Sequence, residues 1–370
     1  MRASTTRRAA IAALSAVLTA AVLVSRPEAH KPITSRYTYN ADIYPIVRKR
    51  CAACHVDRGI APMSLLAYKD ALPWAESIRQ ELIGESMPPF YADPTGPAVK
   101  GPTPMSAAEV DTLVTWATGG TPEGESPLAA AAAPPPPEWS AGPPDATFTP
   151  AAPYTVPASA QEETHDFSFE TSYSGPRWVA GADLRPGDPS IVRDARLSIG
   201  DQVVLAWVPG ERAVMAPGDA GFLLAPGDRL VLRVHYRKSW QDERTAKPDR
   251  STLGLYFARE PRIPIRSIAG GSTAAAAVSA IAVRPRLDRP YGSVVVQAVC
   301  PRSDPIALLK LLAPRPGWPR RYWLEHPIAI PAGCRVETAT TPAALGPDEV
   351  VKPSASPLGV AVDVIPGSDR

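Results

Sequence analysis

The chain has 370 residues, 45% of them hydrophobic, with 45 Pro, 25 Gly, 4 Cys, 5 His and a formal net charge of +2. That length holds two or three domains with real cores, while proline at more than twice its usual share of roughly 5% excludes long helices over most of the chain. Balanced charge leaves no basic field for nucleic acid, and the scarcity of His and Cys limits how many metal ions can be held.

Arg2, Arg7 and Arg8 precede an apolar run from Ala9 to Val24, followed by Ser25, Arg26 and Pro27. This reads as an export signal over residues 1–29. The run is short for a membrane span, which needs about 20 residues, so no stable span is expected after cleavage. An uncleaved anchor is the alternative, because a cut after Ala29 places Pro27 where a small residue is preferred. That cut would also expose His30, whose ring and free amine could brace a metal only with a second His on the same face. The expected location is the bacterial periplasm or another exported site.

Residues 30–126 carry every expected helix. Asn40 is a candidate cap for a segment in which Ile43, Ile46, Val47 and Arg50 share one face. Pro73 sits at a helix start, with Trp74, Ile78 and Leu82 at four-residue spacing until Gly84. Ser106 and Glu109 form a capping box ahead of the stripe Val110, Leu113, Val114 and Ala117, which Gly119-Gly120 stops. Three short helices with long loops make a sparse core that needs something else inside it.

Between the first two helices stands Cys51-Ala-Ala-Cys54-His55. Two cysteines with this spacing and an adjacent histidine match the c-type haem attachment pattern, in which both thiols add to the haem vinyl groups and the imidazole reaches the iron. A redox dithiol would sit in a βαβ context, which is absent. A zinc site needs two more ligands, and Cys300 and Cys334 lie far along the chain. One covalent haem c is therefore expected on Cys51, Cys54 and His55. For the sixth ligand, Met87 in Ser86-Met-Pro-Pro-Phe90 is favoured, since two prolines stiffen its loop. Met63, Met105 or a second His are the other candidates, with Met63 and Met105 read more simply as packing in the core. A thioether opposite imidazole suits electron transfer rather than oxygen activation.

Residues 127–153 read as a Pro/Ala-rich linker, with Pro134 to Pro137 favouring an extended, semi-rigid spacer. From Tyr154 onward the pattern changes to short β runs between Pro, Gly and Asp turns. The runs are Gln202–Val208, Leu230–Tyr236, Thr252–Phe257, Val278–Val283, Ser293–Val299 and Arg335–Thr340, and Pro-Gly-Asp recurs at 186–188, 217–219 and 226–228. Such runs argue for antiparallel sandwiches, with a seam near Arg259–Arg266. Cys300 and Cys334 are either disulfide-bonded, as an oxidising compartment permits, or two buried thiols.

Tyr44-Pro, Cys51 to His55, Ala61-Pro-Met-Ser-Leu-Leu66, Ala75, Ile78-Arg79, Met87-Pro-Pro and Tyr91-Ala-Asp-Pro94 resemble the small bacterial cytochrome c modules fused to copper type II, ascorbate-dependent monooxygenase-like (peptidylglycine hydroxylating monooxygenase-like) domains. The resemblance implies that Met87 is the distal haem ligand. Phe90-Tyr91 departs from a common Trp-containing version. After the linker, Arg177-Trp178-Val179, Arg185-Pro186-Gly187, Ala206-Trp-Val-Pro-Gly210 and Ala225 through Tyr236 are similar to the first monooxygenase-like subdomain, and Trp318 through Gly333 to the second. The implied architecture is multidomain: a small all-α cytochrome c domain (30–126) followed by tandem antiparallel β-sandwich (jelly-roll) subdomains at 154–261 and 262–370.

The family's copper ligands are largely missing. His235 matches one ligand, but an expected His-His pair reads Arg193-Asp194, and an expected His-x-His segment reads Val296-Gln-Ala-Val-Cys300. One lone imidazole cannot hold copper(II) against water, so copper is not expected. His235 reads as a strand histidine, hydrogen-bonded or at the surface. His165, among Glu162, Glu163 and Asp166, reads as solvated, and His326 as structural.

The expected function is that of a periplasmic c-type haem electron-transfer protein. Its β half would dock or scaffold, with an unidentified redox partner protein and no small-molecule substrate. A haem-coupled copper monooxygenase with unrecognised ligands is the alternative, so enzymatic activity stays open, and no catalytic residue is assigned.

Overall fold

A computed structural model describes residues 34–125, 138–218, 220–259, 263–343 and 357–367. The expected export signal, His30 and the Pro134–Pro137 tract lie outside the described residues. The chain is mostly β, with a few short helices at its N-terminal end. Among the described residues there is no large helical domain, and no helix is long and apolar enough to cross a membrane.

The three expected helices are present as α1 (Tyr44–Arg50), α3 (Ala75–Ile83) and α4 (Ala107–Thr118), with one added helical turn, α2 (Tyr68–Ala71). Each end follows from local chemistry. The Ser106 hydroxyl accepts from the Glu109 N–H and the Glu109 carboxylate accepts from the Ser106 N–H, closing the capping box at α4, and Gly84 and Gly119 end α3 and α4. Asn40 does not cap α1. A π-helical turn at Tyr39–Ile43 runs directly into it, and the Asn40 amide instead donates to the Gly124 carbonyl. These pieces bury Tyr39, Ile43, Val47, Leu65, Leu113 and Trp116 in a small cluster with Ala71 and Ala75.

The β part holds β1 (Ala146–Phe148), β2 (Tyr154–Val156), β3 (Glu162–Glu170), β4 (Arg177–Arg185), β5 (Val192–Ile199), β6 (Gln202–Trp207), β7 (Ala220–Leu224), β8 (Arg229–Arg237), β9 (Lys247–Asp249) and β10 (Thr252–Phe257). Then come β11 (Ile263–Pro264), β12 (Arg266–Ala269), β13 (Val278–Arg286), β14 (Tyr291–Val299), β15 (Ile306–Leu312), β16 (Tyr322–Ile330), β17 (Arg335–Pro342) and β18 (Gly359–Pro366). Two sheets, ordered β1-β10-β4-β7-β11 and β3-β8-β5-β6, face one large apolar cluster. The sheets β12-β18-β13-β16 and β15-β14-β17 face a second. Among the described strands, pairing is antiparallel except for the short β11–β7 contact. β8 shows why the alternation was legible: Leu230, Leu232, Val234 and Tyr236 are fully buried between outward-facing neighbours.

Within the stretch read as a spacer, residues 146–148 are strand rather than linker, pairing with β10. Just before them, Trp139 and Pro144 close over Gly254, where a Cβ would collide with the indole at 2.8 Å. Cys300, just past β14, and Cys334, just before β17, form a disulfide across strands paired at Val299 and Arg335.

Candidate haem site and its junction with the β half

Cys51 ends α1, where its N–H donates to the Val47 carbonyl. The chain then turns without regular structure through Cys54 and His55, with the Cys54 and His55 N–H groups both donating to the Cys51 carbonyl. One tight turn thus gathers two sulfurs and an imidazole. Both thiols are free. Burial pushes the Cys51 pKa up to about 11 and raises that of Cys54, against a downward pull from Arg193 and Arg320. The His55 pKa is lowered by burial, opposed by a backbone hydrogen bond at Met63. Its Nδ1 is buried without a partner. A buried polar atom left unsatisfied costs free energy unless a ligand or water completes it. Two unpaired thiols, an imidazole and a thin apolar cluster around them suit covalent haem, and no second pair of thiols or imidazoles nearby suits zinc. The residues present fit the group.

The methionines stand differently from one another. Met63 and Met105 pack partly buried against the helical cluster, as a core role requires. Met87 lies on the loop after α3 and is 37% exposed, outside that cluster, so its sulfur is free to serve elsewhere.

Cys54 faces the β half. Its sulfur is 4.0 Å from the Pro209 carbonyl, and Gly210 approaches Ala53 so closely that a Cβ would sit 2.4 Å from the alanine side chain. The segment after the Met87-Pro-Pro loop also crosses over. Tyr91 accepts from the Leu312 N–H, Asp93 donates to the Lys310 carbonyl, and Lys100 donates to the Trp323 carbonyl. Tyr91 is buried within the second β cluster. Arg193 of β5 lies 3.6 Å over the Trp318 ring, and Arg320 lies 4.9 Å over Phe90. Glu211 is half-buried there too. Burial raises its pKa to about 7, Arg320 and Arg321 opposing, and its Oε2 has no partner.

The histidines of the β half are accounted for by their neighbours. The His235 Nδ1 is 2.6 Å from Asp194 and its Nε2 2.7 Å from Glu162, so both ring nitrogens are engaged by carboxylates. His165 is stacked on Tyr154, with ring centroids 3.9 Å apart, rather than simply solvated. His326 is exposed on β16. Among the described residues, no group of three or more His, Cys, Asp or Glu stands where it could hold a metal ion.

The His235 pKa is raised, first by the Asp194 hydrogen bond and then, against burial, by the charges of Asp194 and Glu162. A raised folded-state pKa gives stability that is fully present below the unfolded value of about 6.5 and is lost as pH rises through the folded value. His235→Gln is therefore expected to cost about 1 kcal/mol in urea unfolding at pH about 5.5 and less at pH about 9. Equal costs at both would show that the carboxylates do not hold an imidazolium.

Sequence reasoning singled out Cys51, Cys54 and His55, which one turn gathers together, but gave no role to Arg320 or Glu211, placed Tyr91 only within a haem-domain motif, and treated Arg193 only as a position where a histidine was wanting. The one local hint was the pair Arg320-Arg321 ahead of the apolar Tyr322-Trp323-Leu324. A scan of protein-family models finds no match, and neither does a search of curated proteins. Among solved structures, a chain from the atomic structure of Sulfolobus Turreted Icosahedral Virus is similar at 7% identity and a TM-score of 0.26. It covers 60% of this chain and 89% of that one, a likeness too slight to carry an argument.

Proposed function

We propose that this chain is an exported c-type haem electron-transfer protein. The carrying observation is the Cys51-Ala-Ala-Cys54-His55 turn, with two unpaired, half-buried thiols beside an imidazole whose Nδ1 is buried without a partner. Haem bound there supplies one-electron transfer. Cys51 and Cys54 would hold it, His55 would bind its iron, and Met87 would be the opposite ligand. The Cys300–Cys334 disulfide supports export, because such bonds persist in oxidising compartments.

The β half is read as two jelly-roll sandwiches similar to copper type II, ascorbate-dependent monooxygenases, kept for docking or scaffolding. Its paired sheets support that reading, and the engagement of His235 by two carboxylates argues against its use as a copper ligand. The chain is produced with haem-maturation machinery and its iron and copper are measured. One covalent haem and no copper are expected; stoichiometric copper, or ascorbate-dependent oxygen consumption, favours the monooxygenase. In the same preparation, Met87→Ala is expected to abolish the near-infrared methionine–iron band and lower the reduction potential. An unchanged band shifts the assignment to Met63.

A further inference from the structure

Where the segment after Met87-Pro-Pro meets the start of β16, a small cavity is lined by Tyr91, Arg320 and Glu211. Arg320 is 6% exposed and Tyr91 4%. Glu211 is half-buried, but its Oε2 is sealed from solvent; that oxygen, the Arg320 Nε and the Tyr91 hydroxyl all lack a hydrogen-bond partner. The Arg315 backbone near the Tyr91 hydroxyl offers a donor, so the phenol's own proton remains to be given. Each such atom costs free energy while unpaired, and here three of them border one space. Among the described residues, no carboxylate forms an ion pair with Arg320, whereas the neighbouring Arg321 is paired with Asp363. Burial pushes the Glu211 pKa up to about 7, with Arg320 and Arg321 pulling it down. Tyr322 is within electrostatic reach of Glu211, Lys100 lines the same cavity, and the Arg212 guanidinium turns away to the Ser140 carbonyl. With its proton on, Glu211 completes a set of three donors beside one uncompensated cation. Phe90, Ala92 and Val99 supply apolar wall.

We propose that this cavity binds a short-chain monocarboxylate of acetate or propionate size, its oxygens accepting from the Arg320 Nε, the Tyr91 hydroxyl and the Glu211 carboxyl group, with its alkyl end against Ala92 and Val99. A carboxylate has about four lone-pair sites, enough for all three donors, and guanidinium is the cation best shaped to receive it. Its single charge offsets that of Arg320. A halide would leave the apolar wall unused, and a dicarboxylate would add a second charge beside Glu211. The site is made by the β half and the segment that crosses to it, so it does not draw on the haem reading. Below pH about 7 a neutral Glu211 donates to the ligand; above it an ionised Glu211 repels the ligand. Affinity therefore falls as pH rises.

The test uses the full chain with sodium acetate, and sodium chloride at equal ionic strength as control. Binding is read from saturation-transfer NMR of the acetate methyl group and from the rise of the unfolding midpoint with ligand concentration. Wild type is expected to bind acetate saturably, about tenfold more tightly at pH about 6 than at pH about 8, as a group titrating near 7 requires. Tyr91→Phe removes only the hydroxyl and is expected to weaken acetate about tenfold, the worth of one hydrogen bond to a charged group. Arg320→Gln is expected to weaken it further. If that variant does not accumulate, Glu211→Gln carries the test beside Tyr91→Phe. Its amide still donates but cannot ionise, so it should keep the affinity that wild type shows at pH about 6 and lose the pH dependence. Equal responses to acetate and chloride would mean that the cavity holds only water, and would overturn the proposal. Acetate binding untouched by Tyr91→Phe, or a pH dependence that survives Glu211→Gln, would place the ligand elsewhere and overturn it too.

Discussion

Asp363→Ala is expected to lower the unfolding free energy by about 3–5 kcal/mol, the cost of breaking a buried ion pair from one side. Asp363 is fully buried on β18 and accepts from Arg321, Arg284 and the Ser267 hydroxyl. Arg321 also donates to the Val204 and Val203 carbonyls of β6, so this one cation ties the two sheet systems together. Removing the carboxylate leaves Arg321 buried without a counter-charge. Burial alone would raise the Asp363 pKa, but Arg321 and Arg284 together hold it below the usual carboxylate value. A depressed folded-state pKa gives stability that is present above the unfolded value of about 3.9 and lost as pH falls through the folded one. The wild type should therefore lose stability in that acid window, and Asp363→Ala should lose little more there. Denaturant titration of both proteins at neutral and acid pH checks this. A cost under about 1 kcal/mol at neutral pH, the range of an exposed pair, would remove the tie from the account.

What could be read from the chain was whatever depends on near neighbours. The Ser106–Glu109 box, the Gly84 and Gly119 stops and the period-two run of β8 are each specified within a few residues. The Cys-x-x-Cys-His turn is of the same kind. Asn40 shows the limit, because its cap competes with a Gly124 carbonyl 84 residues away and loses. Arg321 and Asp363 lie 42 residues apart, and although each borders an apolar run, nothing local to either names the other as its partner. The residues that follow Met87-Pro-Pro read as a haem-domain loop, yet they form bridges at Ala92 with Leu311 and at Val99 with Leu324. Contacts that distant depend on how whole sheets stack, so the junction around Arg193, Arg320 and Glu211 became visible only in three dimensions.

The second large effect is expected at the haem turn. Cys51→Ser combined with Cys54→Ser should leave no covalent haem after acid–acetone extraction, whereas either single substitution leaves one thioether possible. Consequences for the fold should be uneven. The β clusters close on themselves with long runs of fully buried aliphatic side chains. The helical cluster is far smaller, and the Cys51–Leu65 stretch beside it has no regular structure. On the proposed haem reading, a unit with so little apolar burial gains stability from the bound haem, by the same mass action through which any ligand of the folded state stabilises it. Limited proteolysis of the double serine variant should therefore cut first within residues 44–118, while the strands from β3 onward stay protected. Protection of the helical segment equal to wild type would mean that it folds without its haem. Haem retained through extraction would mean that sulfurs other than these two hold it.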